Sequence, residues 1–197
     1  MPVKRVALTG GIATGKSYVL SRFAAAGIPT LDADVLARDA VAPGSEGLAA
    51  VVRRFGTGIL NNSGGLDRGA LASIVFNDAT ARHDLEAIVH PSVRAATDAW
   101  FAGLDPAQHR FAVVAIPLLF ETGRERDFDV ILATLCTTDT QLQRLMSRDG
   151  MSEDDARRRL AAQLPASEKA ARAEHAIDTG GTFDETDRQI ATLIMAL

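Results

Sequence analysis

The chain has 197 residues, 47% hydrophobic and 23% charged, with a mean hydropathy of +0.05, which suits one core with or without small appendages and excludes two large independent domains, disorder, collagen and coiled coil. A net charge of -4 argues against broad binding to a nucleic-acid backbone but leaves room for a local anion site. No apolar run could cross a bilayer, the opening MPVKRVALTGG reaches glycine too early for a secretory signal, and the single Cys136 can make neither an intramolecular disulfide nor a zinc cluster, so the expectation is a cytoplasmic protein with no membrane partner and Cys136 in the core.

The segment KRVALTGG reads as a short buried parallel strand that ends in a loop, with Val6 and Leu8 among small residues. Val19, Leu20 and Phe23 recur at helical spacing over Lys16 to Gly27, and Gly27-Ile28-Pro29 supplies the stop. A second strand is predicted from Ile28 to Leu31, with Asp32-Ala33-Asp34 at its carboxyl edge and a helix following through Leu36. Between about 42 and 107 the pattern turns to helices. Leu48, Val51, Val52 and Phe55 mark one apolar face, glycines and asparagines at 56 to 65 mark a break, and a long helix is predicted from Asp78 to Phe101, started or kinked by Pro91. This stretch reads as an insertion between strands.

A third strand is predicted at Phe111 to Ile116, a fourth at Val130 to Leu135 and a weaker fifth at Ala173 to Ile177. Alternation with helices gives a parallel α/β sheet. Charge-rich Arg148 to Pro165 reads as an exposed helical flap, and Thr186 to Leu197 as a closing helix with Ile190, Leu193, Ile194 and Leu197 on one face.

Gly10, Gly11, Ile12, Ala13, Thr14, Gly15, Lys16 and Ser17 satisfy G-x-x-x-x-G-K-[ST], after a strand and at the start of a helix, where the mechanism requires it. Glycines let the main chain bend until several N–H groups converge on phosphate oxygens, and the helix terminus adds partial positive charge. Lys16 is placed to reach the β- and γ-phosphates of ATP, and Ser17 to ligate Mg2+. With three lysines, Lys4, Lys16 and Lys169, against 18 arginines, a lysine at this position carries more information than in an average chain.

The use made of the nucleotide is read from other residues. There is no N-K-x-D guanine reader, and FAVVAIP ends in Pro117 without the acid of a motor-type strand. Asp32 and Asp34 are therefore the acids expected nearest the phosphates, where one can take a proton from an acceptor hydroxyl or hold magnesium through water; the alternative is an N-cap. Gln141, Arg144 and Arg148 share a helix face that could close over a polyphosphate, while Leu142, Leu145 and Met146 point to the body; a solvated face is the alternative, as for Arg157, Arg158 and Arg159. His90 beside Pro91 is structural or a substrate contact, and Glu121 past the third strand contacts substrate or caps.

Together, ALTGGIATGKS, LDADVLAR at 31 to 38, IVHP at 88 to 91, IPLLFE at 116 to 121 and QLQRLMSRD at 141 to 149 resemble the dephospho-CoA kinase family over nearly the whole chain. The resemblance implies a three-layer P-loop kinase fold with a mostly parallel five-stranded sheet. Its core would cover about 1 to 41, 108 to 140 and 169 to 197, with a helical substrate-binding insertion at about 42 to 107 and a helical lid at about 141 to 168. It implies ATP-dependent phosphorylation of the ribose 3′-hydroxyl of dephospho-CoA with Mg2+, by a monomer or weak homo-oligomer; another small-molecule kinase and a non-catalytic ATP-dependent module are the alternatives. Carried over by residue, Gly10 to Ser17 bind phosphate, Asp34 is the base, and Arg144 is the lid arginine, with Arg148 a second candidate. Tyr18 and Thr179 join the ATP site, and Asp32, Arg38, His90 and Glu121 the acceptor site. Tyr18 stands where the family carries a small hydroxyl residue, and Thr179 where it carries an asparagine near the adenine.

Overall fold

The computed structural model describes residues 2–197, apart from the side chain of Asn77. The chain divides into two compact units, one running up to Asp32 and resuming over Leu104–Leu197, the other comprising Ala33–Gly103.

In the first unit β1 (Lys4–Gly10), β2 (Thr30–Asp32), β3 (Phe111–Ala115), β4 (Val130–Leu135) and β5 (His175–Asp178) form one sheet in the order β2-β3-β1-β4-β5, parallel throughout. Strands covered on both faces need continuous apolar runs, and β3, FAVVA, is buried at every position. Alternation sorts the faces. Val6, Leu8, Phe111, Val113 and Leu132 pack with Val19 and Phe23 of α1 (Lys16–Ala25) and with Ile190 of α9 (Phe183–Ala196). The fully buried Phe23 meets Phe111 edge-on at 6.3 Å, and truncation to alanine would cost about 4 kcal/mol. The residues in between include the small, buried Ala7 and Ala133, and α8 (Ala166–Arg172) crosses β1, β4 and β5. Helices on both faces complete three layers. Because β2 and β3 lie on one side of the central β1 while the strands that follow them, β4 and β5, lie on the other, the carboxyl end of β1 faces the crevice that this fold class uses for ligands.

The predicted flap is two helices. α6 (Thr138–Asp149) ends at Gly150, whose φ of 65° is the left-handed value that favours glycine at a helix stop. α7 (Glu153–Ala161) restarts from Ser152, whose hydroxyl accepts the Asp155 amide at 3.2 Å. Leu142, Leu145 and Ala156 form their shared core, joined by Leu160. Met146, expected to face the body, is 38% exposed, because it lies about 100° round α6 from the buried Leu145. The second strand is shorter than predicted and shifted to Thr30–Asp32; the fifth is shifted to His175–Asp178.

The second unit is helical: α2 (Ala33–Asp39), α3 (Glu46–Phe55), α4 (Arg68–Asn77) and α5 (Ala79–Ala102). Its core gathers Val41, Val51, Ile59 and Leu71, with Val52, Phe55, Leu85, Ile88 and Val89 against them. Ser45, Asp67 and Asp78 cap α3, α4 and α5, each accepting an amide of the first turn. Pro91 lies inside the continuous α5 and does not start a helix. The predicted break at 56 to 65 is a 3-10 turn at Thr57–Ile59 and an Asn61 turn, where Oδ1 accepts from the amides of Ser63 and Gly65.

Candidate active site

The phosphate loop leaves β1 at Gly10, where a side chain cannot fit: a Cβ would collide with the Thr134 hydroxyl and come within 2.9 Å of the Thr134 carbonyl oxygen. Ala13 and Gly15 take left-handed φ values of 60° and 79°. For alanine that conformation is costly, by roughly 1–2 kcal/mol, so neighbouring contacts must hold it.

Those contacts run through the carbonyl groups. Thr14 Oγ1 donates to the Gly11 carbonyl at 2.7 Å. Gln141 Nε2 donates to the Ile12 carbonyl at 2.6 Å, Arg144 Nη1 to the Ala13 carbonyl at 3.3 Å, and Thr179 Oγ1 to the Thr14 carbonyl at 2.8 Å. Four successive carbonyls are thus each held by a side-chain donor. Since N–H and C=O of a peptide point in opposite directions, fixing the carbonyls also fixes the directions of the Ile12, Ala13 and Gly15 amides, while the Thr14 amide itself donates to the Gly11 carbonyl at 3.3 Å. α1 adds its N-terminus directly after Gly15, with no capping side chain and no acidic residue in the first turn, so its partial positive charge is uncompensated within the helix. Lys16 and Ser17 are its first two residues, and Lys16 makes no side-chain hydrogen bond or ion pair among the described residues.

Arg144 is clamped from a second side, with Nη2 donating to the Thr179 carbonyl at 2.6 Å. Cys136 lies 3.7 Å from Arg144 Nη1, half-buried rather than in the core as expected. Burial pushes its thiol up, and the neighbouring guanidinium only partly offsets this, so it stays a thiol at neutral pH. Arg148 is exposed and paired with Asp149 at 2.7 Å, which raises its pKa. Arg157, Arg158 and Arg159 pair with Glu153, Asp155 and Asp149, which is the solvated arrangement. A cavity of about 470 Å³ opens beside the loop, lined by Gly11, Ile12, Gln141, Leu160 and Ser167 among others.

Asp32 ends β2, in register with Ala115, which is itself level with Leu8 two residues before the loop. Glu121 has a different commitment. Its Oε1 pairs with Lys169 Nζ at 2.8 Å and accepts the Leu164 amide at 3.1 Å, while Lys169, with a fully buried side chain, also donates to the Pro117 carbonyl at 2.7 Å. Lys169, Thr134 and Gln141's structural bond went unread in the sequence; the one available signal was that Lys169 is one of three lysines in a chain with 18 arginines. Within the second unit, Asp34 and Arg38 occupy the first and last turns of α2, and His90 lies half-buried on α5, the helix against which α2 packs.

Ser17 is exposed at the head of α1 and could serve as a magnesium ligand. Among the described residues no group of three His, Cys, Asp or Glu side chains could hold a metal. A magnesium ion held by Ser17 would take its other ligands from phosphate and water, as this ion commonly does at nucleotide sites.

Comparison with known proteins gives a consistent result. A family model described as dephospho-CoA kinase matches residues 4–185. A protein of Anaeromyxobacter dehalogenans named dephospho-CoA kinase is 45% identical over 192 residues, covering 95% of this chain and 91% of its own. One of the same name from Geobacillus kaustophilus is 43% identical, covering 96% and 94%. Among solved structures, TT1252 of Thermus thermophilus superposes with a TM-score of 0.86 at 31% identity, covering 100% of this chain and 99% of the other. The dephospho-CoA kinase of Campylobacter jejuni gives 0.70 at 27% identity, covering 97% and 95%. Shikimate kinase of Acinetobacter baumannii, at 0.56 and 14% identity, shares the fold.

Proposed function

The chain belongs to the dephospho-CoA kinase family, and from that premise we propose that it transfers the γ-phosphoryl group of ATP to the ribose 3′-hydroxyl of dephospho-CoA in the cytoplasm, giving coenzyme A and ADP. The observation that carries this reading is the loop at Gly11 to Thr14, whose four carbonyls each accept a side-chain donor, directly before the uncapped head of α1 with Lys16.

In this mechanism the loop amides bind the phosphate oxygens, and the Lys16 ammonium reaches the β- and γ-phosphates. Magnesium, with Ser17 Oγ as the chain's own ligand, supplies further neutralisation of the triphosphate when bound. Asp34 accepts the proton of the 3′-hydroxyl. The hydroxyl oxygen bonds to the γ-phosphorus as the bond to the β,γ-bridging oxygen breaks, and that bonding pair leaves on ADP. Arg144, with Arg148 as a second cation, offsets charge on the transferring group, and Asp32, Arg38 and His90 orient the acceptor, while Glu121 is spent on the ion pair with Lys169.

The test is a coupled assay with ATP and magnesium in which dephospho-CoA, AMP and shikimate compete as acceptors. ADP and 3′-phosphorylated product should appear in equal amounts from dephospho-CoA. Faster turnover of AMP or shikimate would overturn the assignment, as would ATP binding without phosphorylation of any acceptor.

A further inference from the structure

Lys169 is a buried charge that the transfer reaction does not use. Among the described residues it is the one charged side chain at 0% exposure, and its Nζ lies 2.8 Å from Glu121 Oε1. An apolar pair of the same volume is often as stable as a buried ion pair, so stability alone does not account for the arrangement. What an apolar pair could not do is hold main-chain groups. Lys169 Nζ donates to the Pro117 carbonyl at 2.7 Å, and the same oxygen accepts the Thr9 hydroxyl at 3.3 Å. Glu121 Oε1 accepts the Leu164 amide at 3.1 Å.

The groups held belong to the phosphate loop's surroundings and to the flap. Thr9 directly precedes Gly10, and Pro117 follows the carboxyl end of β3, the strand beside β1. Leu164 lies between α7 and α8, at the carboxyl root of the two-helix flap. Two residues on, Ala166 opens α8 against the loop itself: a Cβ at Gly11 would come within 3.1 Å of the Ala166 Cβ. At the other root, Gln141 and Arg144 tie α6 to the Ile12 and Ala13 carbonyls, and Ile12 and Ala13 pack onto the flap's own core. The cavity of about 470 Å³ is lined by Leu160 and Ala161 of α7 and by Gly11 and Ile12 of the loop, so α7 has space on its loop side. Gln163, also on the cavity wall, has a buried Oε1 with no partner among the described residues. The next residue, Leu164, is the one that Glu121 holds.

We propose that Lys169 and Glu121 are positioning residues for phosphoryl transfer: together they pin the carboxyl root of the α6–α7 flap to the end of β3 beside the phosphate loop, so that the flap closes over the loop in one position and keeps water from the transferring group. Both act through the main chain they hold. This rests on the reading above, in which α6 brings its arginine to the γ-phosphate, and it adds the pair that fixes the far end of the same flap.

The experiment separates turnover from stability. In the double variant Lys169→Met/Glu121→Leu, apolar side chains replace both charges, so its thermal melt should lie nearer wild type than that of Lys169→Met. Turnover should not follow. The Leu164 amide has still lost its acceptor and the Pro117 carbonyl its Lys169 donor, so kcat should stay about 10²-fold below wild type. Calorimetry should show ATP bound as in wild type, since Gln141, Arg144 and Thr179 still hold the loop. With the flap unpinned, water competes with the 3′-hydroxyl for the γ-phosphorus, so ADP, inorganic phosphate and a proton should form from a larger share of the ATP consumed. Glu121→Gln keeps the volume and an oxygen acceptor for the Leu164 amide, so its kcat should fall less than that of Glu121→Leu. Where the other variants fail to fold, the rise in its own phosphate share is the test. A double variant whose kcat returns with its stability, an unchanged ratio of inorganic phosphate to 3′-phosphorylated product, or equal kcat in Glu121→Gln and Glu121→Leu would overturn the proposal. Failure of the underlying reading looks different: Arg144→Met would then leave kcat at the wild-type value.

Discussion

Gln141 of α6 donates its side-chain amide to the main-chain carbonyl of Ile12 at 2.6 Å, across 129 residues of sequence. This bond makes the position of α6 a determinant of the phosphate loop's shape. Gln141 is 5% exposed, so its amide needs an internal partner, and the Ile12 carbonyl supplies one.

Gln141→Leu should therefore act on affinity and stability together. The Ile12 carbonyl loses its donor, at a cost of about 1–3 kcal/mol, and the loop can relax toward orientations with its amides turned away. Denaturation and ATP titration should show a lower midpoint and roughly tenfold weaker binding. Wild-type ATP affinity in this variant would show that the loop holds its shape without α6.

Asp34→Asn tests the assigned base. The neutral amide cannot accept the hydroxyl proton, so kcat should fall by about 10²- to 10⁴-fold with little change in ATP affinity. A kcat within a fewfold of wild type would remove Asp34 from that role.

Lys169 and Glu121 form a pair in which the cation is fully buried. Lys169→Met strands the Glu121 carboxylate and leaves the Pro117 carbonyl without this donor, so unfolding should cost about 3 kcal/mol less than in wild type. The double variant Lys169→Met/Glu121→Leu should recover part of the loss, because neither charge is then left alone. A double-mutant cycle in denaturant measures the coupling, and strict additivity would mean that the ion pair contributes nothing specific.

Acid should loosen the first unit through its carboxylates. The Thr182 main-chain amide, followed by the Thr182 hydroxyl, holds Glu185 below the usual carboxylate range. Arg148 does the same for Asp149, and Ser152 and then Arg158 for Asp155. A pKa depressed by folding adds stability above the unfolded-state value, near about 4, and that stability is lost as pH falls through the folded-state value. The melting temperature should fall as pH drops below about 4, and Glu185→Gln should have a shallower acid limb than wild type. An identical limb would show that the α9 cap does not contribute.

Much of the framework was legible along the chain. β3 and β4 follow from their apolar runs, and the third and fourth strands begin at the predicted residues. The long helix appears at Ala79–Ala102 because its apolar residues recur every three or four positions. The two-helix flap was less visible, since Gly150 and Ser152 form a stop and restart within a charge-rich stretch that lacks a strong apolar period.

The phosphate loop was legible locally: two glycines, a lysine and a serine at fixed spacing mark a bend and a cation at the head of a helix. What holds that loop in shape was decided only in three dimensions. Gln141, Arg144 and Thr179 lie between 129 and 165 residues from the carbonyls they bind, and no periodicity in a linear chain records which distant donor will satisfy which carbonyl. The same is true of Tyr18, which follows the loop's serine in sequence: only folding brings its hydroxyl to Asp187, 169 residues away, where it donates to Oδ1 at 2.9 Å.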